Sequence, residues 1–424
     1  MQSMHPPRQA TRDDAVALLQ AKLNVEWSVE MVARQVVICS PVRTPIGAFG
    51  GTLTDVAATT LGAIAVREAV RRSKVDPAAL ASVVMGNVIQ AGNKMNPARQ
   101  AAVGGGIPVE VPALTVNRVC GSGAQAIVNA AQEIWLGFGE VAVAGGMENM
   151  DRAPYLLHGG RWGHRMGNTE IVDSMLGDGL VDAFSGRHSG WHTEDLVSRV
   201  GMTREQQDRW AERSQRRFVE AQGRGAFDAE LVAVDIEGRK QPVRFERDEQ
   251  PRPDTTLESL ARLKPAFRSD GTITAGNAPG LNSGAAAMVV AERGYAEARG
   301  IEPIATLVSY GVGAVEPGMF GLGPVPAVRM ALARAGWSLN DVERFEINEA
   351  FAAVPIAVLR ELGIDEERVN VEGGAIAHGH AIGATGAVLT TRLAHSMRRD
   401  GVKRGMVTLC IGGGQGIALA LEAV

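Results

Sequence analysis

The sequence predicts an α/β protein made of two duplicated βα halves with mostly parallel sheet, interrupted by an inserted segment of different character. Three observations carry this. Short β-branched runs alternate with Ala-rich helix-period segments, which is the rhythm of parallel strands joined by crossover helices. The same order of units recurs in the second half of the chain. Between the two, residues 151–274 break the rhythm.

Each element follows from local composition. Residues 35–39 form a β-branched run suited to a buried parallel strand, expected to end at Pro41, and a helix-period segment follows over 59–72. Runs at 83–85 and 114–116 are the next strands, each entering a Gly- or Asn-containing turn, the second followed by a helix over 124–136. A strand at 140–144 runs into GGMENM. In the second half, 305–309 matches the first strand and 344–347 leads into NEAFAAVPIAVL as 83–85 leads into GNVIQAGN. Residues 369–371 lead into GGAIAHGHAIGATGAVL as 114–116 leads to Cys120, and 406–410 runs into IGGGQG as 140–144 runs into GGMEN. The expected division is an extension over 1–34, a first half over 35–150 completed by about 275–302, an insertion over 151–274 and a second half over 303–424. Facing halves would gather these loop tips at one place, where parallel sheets bind ligands.

Composition narrows the function. A chain of 424 residues with 45% hydrophobic and 21% charged residues suits a globular enzyme of more than one packed unit. A net charge of −4 and 4% aromatic residues offer neither the basic footprint nor the stacking surface of a nucleic-acid binder. No apolar run reaches the length of a membrane span. The 3 cysteines, at positions 39, 120 and 410, have neither metal spacing nor an even count for disulfides, and suit a reducing, cytoplasmic setting. The 51 glycines are bunched, as in GGG at 104–106 and 412–414, where backbone must turn or approach a ligand. Met1–Arg12 is polar and Pro-containing, and 13–23 carries a short amphipathic pattern with Asp13 and Asp14. The pattern is not expected to be an export signal; an extension before a start near Met31 is expected, with a transit peptide as the alternative.

Four positions stand where chemistry is done. Cys120 follows a strand and precedes a helix, with GSG after it; the helix dipole and backbone N–H groups there favour a thiolate. Read alone, it fits a small buried hydrophobe equally well. His380 lies between a strand and an Ala/Gly-rich helix, placed to take a proton from Cys120 and donate to an oxyanion, or else satisfied by backbone within the core. Cys410 ends an apolar strand before IGGGQG, as a second acid/base or a buried strand thiol. Asn348 either orients a water or caps a helix. His378 is expected to be structural, and Cys39 to be buried within its strand.

Together these motifs resemble the thiolase family: NRVCGSGAQA its nucleophile loop, NEAFA its Asn loop, GGAIAHGHAIGATGA its His loop and CIGGGQG its C-terminal Cys loop. VRTPIGAFGG, GGMENM, TAGNAPGLNSGAAA and GPVPA fit in the family's order, so the resemblance runs from about Val36 to the end of the chain. It implies a layered αβαβα arrangement with mixed, mostly parallel sheets. It implies an acetyl-CoA acetyltransferase-type thiolase with acetyl-CoA and CoA as substrates, no permanently bound cofactor, no metal, and a homodimer or homotetramer. Cys120 would carry the acyl group, His380 would be its base, and Cys410 would remove an α-proton from acetyl-CoA. His380 with an Asn348-held water, and the N–H groups of Cys120 and Gly412, would form two oxyanion holes. The insertion resembles the family's CoA-binding loop domain, with Leu180, His188, Arg252, Ser259, Ala266, Phe267, Ala275 and Phe351 at the matching positions. The chain departs from the family at Pro279 (often Ser), Ser189 (usually Met), Ala381 (usually Pro) and His378 (usually Leu). A β-ketoacyl synthase-like condensing enzyme is the second reading, but it needs no base at Cys410. A non-catalytic CoA- or lipid-binding homologue is the third, but it would have lost Cys120 or His380.

Overall fold

The computed structural model describes residues 34–237 and 241–424, so the amphipathic segment at 13–23 and the start near Met31 lie outside the described residues. A compact body runs over Gln35–Val424. Its first half supplies β1 (Val36–Arg43), β2 (Val83–Gly86), β3 (Ala113–Val116), β4 (Val141–Asn149) and β5 (Asn282–Glu292). The second supplies β6 (Pro303–Ala314), β7 (Arg344–Ile347), β8 (Arg404–Ile411) and β9 (Gln415–Ala423).

The strands lie in the order β3-β2-β4-β5-β1-β6-β9-β8-β7. Outward from the β1–β6 pair, each half places its first strand beside its last, then the one before the last, then the second, with β3 having no strand counterpart in the second half. The duplication read from the sequence is thus a duplication of topology. In the first half β1 to β4 run one way and β5 runs against them, so four of five strands share a direction. Because β5 sits between β1 and β4, only the outer ladders are parallel, and the two halves meet through the antiparallel β1–β6 pair.

Side-chain alternation sorts the body into layers. Val36 and Ile38 of β1 join an inner core with α3 (Ser122–Trp135) and α8 (Thr385–Asp400), while Val37 and Cys39 face an outer core with α1 (Ala58–Ser73) and α2 (Pro97–Gly104). In β8, Val407, Leu409 and Ile411 face the inner core. Met406 and Cys410 face another outer core, with α6 (Pro324–Ala335) and α7 (Ala353–Leu362). Helices therefore cover both outer faces and fill the middle, the expected αβαβα layering. The central helices touch backbone to backbone: a Cβ on Gly123 would lie 2.6 Å from the Ala387 nitrogen, and one on Gly386 would collide with the Ala124 nitrogen.

Three expectations change. β1 passes Pro41 instead of ending there. Proline interrupts the ladder by lacking an N–H, a bulge spans Cys39 to Val42, and pairing resumes with Val42 opposite Ala287. The strand expected at 369–371 shrinks to one parallel bridge, Phe345 with Val369. Asn370, at φ 46°, turns the chain away while its side-chain amide accepts from Ile347 N at 2.9 Å and donates to Ile347 O at 2.9 Å, standing in for strand backbone. Finally, β5 and β9 were not expected as strands. β5 is central and reads NSGAAAMVVAE, whose Ala-rich start carries little β signal.

The contact between α3 and α8 predicts that Gly386→Val lowers the thermal midpoint sharply, overpacking costing about 1–3 kcal/mol. Gly223→Ala, with open space around it, leaves the midpoint nearly unchanged. Equal midpoints in a melting experiment would refute the close approach.

Candidate active site

Loop tips from both halves and the insertion surround a cavity of about 670 Å³. Cys120, His380, Gly412, Leu180, His188, Phe267 and Phe351, all expected from sequence, line it. Asn348 and Cys410 lie fully buried behind the wall. Arg252, Ser259, Ala266 and Ala275 are exposed and outside the lining. The Ser259 hydroxyl is engaged in a helix cap, donating to Thr256 O at 2.8 Å and accepting from Thr256 N at 3.0 Å.

Cys120 sits one residue before the cap of α3, on a loop held tightly by its own side chains. Asn117 Oδ1 accepts from Val119 N at 2.9 Å, and Ser122 Oγ accepts from Arg118 N at 2.8 Å and donates to Val119 O at 2.7 Å. Val119 is held at φ 44°, a region that β-branched residues avoid; such strain clusters where a neighbouring side chain must be aimed. The half-buried Cys120 sulfur meets its own N–H and that of Gly412, the two groups expected as one oxyanion hole.

The helix start does not produce a thiolate. Burial pushes the Cys120 thiol up to about 11, outweighing the two N–H groups that pull it down. This corrects the expectation from sequence: desolvation of a charge exceeds the effect of one helix dipole. Cys410 is raised well above the ordinary thiol range, first by burial and then by the nearby Cys120.

His380 follows Gly379, whose φ of 100° turns the chain and whose Cβ would lie 2.6 Å from the Asn282 side chain. Asn282 Oδ1 accepts from His380 N at 2.8 Å. The ring is fixed at both nitrogens: Nδ1 lies 2.7 Å from Thr385 Oγ1 and Nε2 lies 3.3 Å from Asn348 Nδ2. Thr385 Oγ1 spends its proton on Ala381 O at 2.8 Å, so it accepts from Nδ1–H. Nε2 therefore carries a lone pair and accepts from Asn348. Burial lowers the His380 pKa to about 4, keeping the ring neutral at physiological pH.

His188 caps α4 (Ser189–Arg199), with Nδ1 accepting from Gly190 N at 3.0 Å. Its ring stacks on Phe267 at 4.6 Å, and Phe267 meets Phe351 edge-on at 6.0 Å, forming an aromatic wall. Another apolar patch, with Val88, Met150 and Ile382 at its heart, packs against Cys120. Of the departures from the family pattern, Ser189 and Pro279 line the cavity. Ala381 belongs to the inner core, and His378 is buried against Phe218. Sequence reasoning missed Thr385, whose signal lay in GATGA five residues after His380. It also missed Asn282, whose role depends on a contact across nearly a hundred residues.

The model of the thiolase N-terminal domain matches residues 36–294, and that of the thiolase C-terminal domain matches 301–423. The chain belongs to the thiolase family. This thiolase is 49% identical over 389 residues to an acetyl-CoA acetyltransferase of Pseudomonas aeruginosa, covering 92% of the chain and 99% of that relative. The crystal structure of the Bacillus anthracis acetyl-CoA acetyltransferase superposes with a TM-score of 0.91 at 45% identity, and that of human mitochondrial 3-ketoacyl-CoA thiolase with 0.89 at 41%. Each covers 92% of this chain and 99% of its own.

The raised thiol pKa predicts that iodoacetamide alkylates Cys120 of the free protein slowly near pH 7. The rate should climb tenfold per pH unit well beyond pH 9, because the thiolate fraction follows a pKa near 11. A plateau below pH 8, with the modified peptide identified by mass spectrometry, would contradict the burial argument.

Proposed function

We propose that this thiolase is an acetyl-CoA C-acetyltransferase, condensing two acetyl-CoA reversibly to acetoacetyl-CoA and CoA, or cleaving a 3-ketoacyl-CoA with CoA, through an acyl-Cys120 intermediate. One observation carries the reading: the lone pair of His380 Nε2, the Cys120 sulfur and the Gly412 N–H meet at one cavity, with the Cys410 thiol close enough to feel the charge of Cys120. The two relatives and neighbours named as acetyl-CoA acetyltransferases support the substrate. Neither a β-ketoacyl synthase-like site nor a binding-only homologue would require the second thiol.

The chemistry follows from the protonation states. A thiol near 11 beside an imidazole near 4 leaves neither a free thiolate nor an imidazolium in the empty site. Proton transfer from Cys120 to Nε2 is therefore coupled to sulfur attack on the thioester carbonyl. The tetrahedral oxyanion faces the N–H groups of Cys120 and Gly412. It collapses to acyl-cysteine as CoA leaves and takes the proton of the Cys410 thiol, so that Cys410 becomes the thiolate while the Cys120 proton stays on Nε2. Cys410 then removes an α-proton from the second acetyl-CoA, and the enolate oxygen is held by Nε2–H and a water on Asn348. Asn348 Oδ1, which has no partner among the described residues, is free to hold that water. The carbanion attacks the acyl-Cys120 carbonyl, a second oxyanion forms in the Cys120–Gly412 pair, and Cys120 departs and takes back the proton from Nε2.

Residues 151–274 act as the CoA-binding loop domain in this reading. Leu180, His188, Phe267 and Phe351 form the apolar wall along the pantetheine, while Pro279 and Ser189 tune the acyl end. Arg252, exposed and held by one bond to Ala275 O at 3.3 Å, is available to a CoA phosphate. Ser259, Ala266 and Ala275 would offer surface to the nucleotide end. A cytoplasmic homodimer or homotetramer in fatty acid metabolism completes the proposal, in keeping with three free thiols.

Thiolysis of acetoacetyl-CoA tests it. Cys120→Ala should lose on the order of 10⁴-fold or more in kcat, as nucleophile deletions do; retained turnover would sink the assignment. Cys410→Ala should still transfer an acetyl group to Cys120, seen by intact-mass spectrometry, yet fail to condense; equal loss of both steps would contradict the division of labour. Thr385→Val, which removes the Nδ1 acceptor, should lower kcat roughly 10- to 100-fold with little change in KM.

A further inference from the structure

The strand registers align the two halves residue by residue around the site. Gly86 of β2 lies opposite Gly146 of β4, with Asn87 next along the chain; Ile347 of β7 lies opposite Thr408 of β8, with Asn348 next. Asn87 is thus the counterpart of Asn348. Two residues beyond Gly146 and Thr408, Glu148 is the counterpart of Cys410.

Glu148 is fully buried and absent from the cavity lining. Its Oε1 accepts from Asn87 Nδ2 at 2.8 Å and from Ile89 N at 3.3 Å; its Oε2 accepts from Val88 N at 3.0 Å and from Gly383 N at 3.0 Å. All four partners donate, and a protonated carboxyl would turn its own hydroxyl toward them, so the donor set favours the anion. These donors come from two places that matter. Val88 lines the cavity, and Gly383 lies three residues after His380 at a spot so tight that its Cβ would be 2.7 Å from Glu148 Oε2.

We propose that Glu148 is a positioning residue whose carboxylate clamps the 87–89 wall of the cavity to the His380 loop. The first half keeps, at the place where the second half has its base, an anion that fixes geometry. Burial raises its pKa to about 8 against the pull of its donors, and its charge in turn raises that of Cys120.

The test uses Glu148→Gln in the full-length protein, with folding checked by thermal melting. The amide keeps the length but turns an NH2 toward two N–H groups. The kinetic arm rests on the thiolase reading: kcat for acetoacetyl-CoA thiolysis falls on the order of 100-fold, as for a misplaced catalytic group. KM for CoA changes little, because the aromatic wall of Phe267 and Phe351 packs in a separate cluster from Val88 and Ile89, with only Leu180 of the pantetheine wall adjoining them. The second arm needs no turnover. At pH 9 Cys410 and His380 are uncharged, and Asp178, Asp182, His188 and His192 lie on the insertion side of the cavity. Loss of the Glu148 charge then speeds iodoacetamide alkylation of Cys120 severalfold, a change that a merely structural residue would not cause. Should Glu148→Gln fail to fold, Asn87→Ala, which removes one donor, shows a smaller kcat loss with little change in CoA KM. A folded variant with wild-type kcat and alkylation rate overturns the proposal, as does a kcat loss matched by equally weakened CoA binding.

Discussion

Two helices without side chains at their crossing set the geometry of everything else. Gly123 and Gly386 let α3 and α8 approach until backbone meets backbone, and Cys120 and His380 sit just before the first turns of those helices. Because interiors are close-packed, this crossing has little freedom to slide. The nucleophile of one half and the histidine of the other are thus placed by helix packing, before any hydrogen bond between loops is counted. Glycine at these positions carries the usual helix penalty, roughly 1 kcal/mol each, which the contact has to offset.

On that frame, burial governs reactivity. It holds the Cys120 thiol neutral near 11, the His380 ring neutral near 4 and Cys410 neutral as well. A resting site of neutral groups is protected from stray alkylation and oxidation, which act on thiolates. The groups that stabilise charge are fixed dipoles: the N–H groups of Cys120 and Gly412, and the amide of Asn348. They are worth most where water is excluded and charge appears only during reaction.

Much of this was legible in the sequence, and the failures have physical reasons. The βα rhythm and the duplicated order were visible because central strands are β-branched and their helices Ala-rich. β5 and β9 escaped because an Ala- and Gly-rich strand buried on both faces carries no alternation. The strand at 369–371 was lost to Asn370, whose amide mimics backbone in a way that composition does not reveal. Cys120 and His380 were found because small residues crowd around groups that must meet a substrate, and Gly412 through the resemblance to the thiolase family. The thiolate expected at Cys120 was wrong because desolvation depends on what packs above the loop, and that comes from elsewhere in the chain. For the same reason Ser189 and His378, equally unusual on paper, separate only in space: one faces the cavity and the other the interior.

The position of β5 also constrains how the protein is made. It lies between β1 and β4, yet residues 150–281 intervene between β4 and β5. While that stretch is being synthesised, the first half lacks a central strand, and β1 and β4 hold unpaired edges that later become interior. Their apolar faces wait for a partner that arrives only after the whole insertion has left the ribosome. Exposed edges of this kind are where nascent chains aggregate. An insertion that furnishes the cavity wall thus also sets the interval during which the growing chain is most dependent on chaperones.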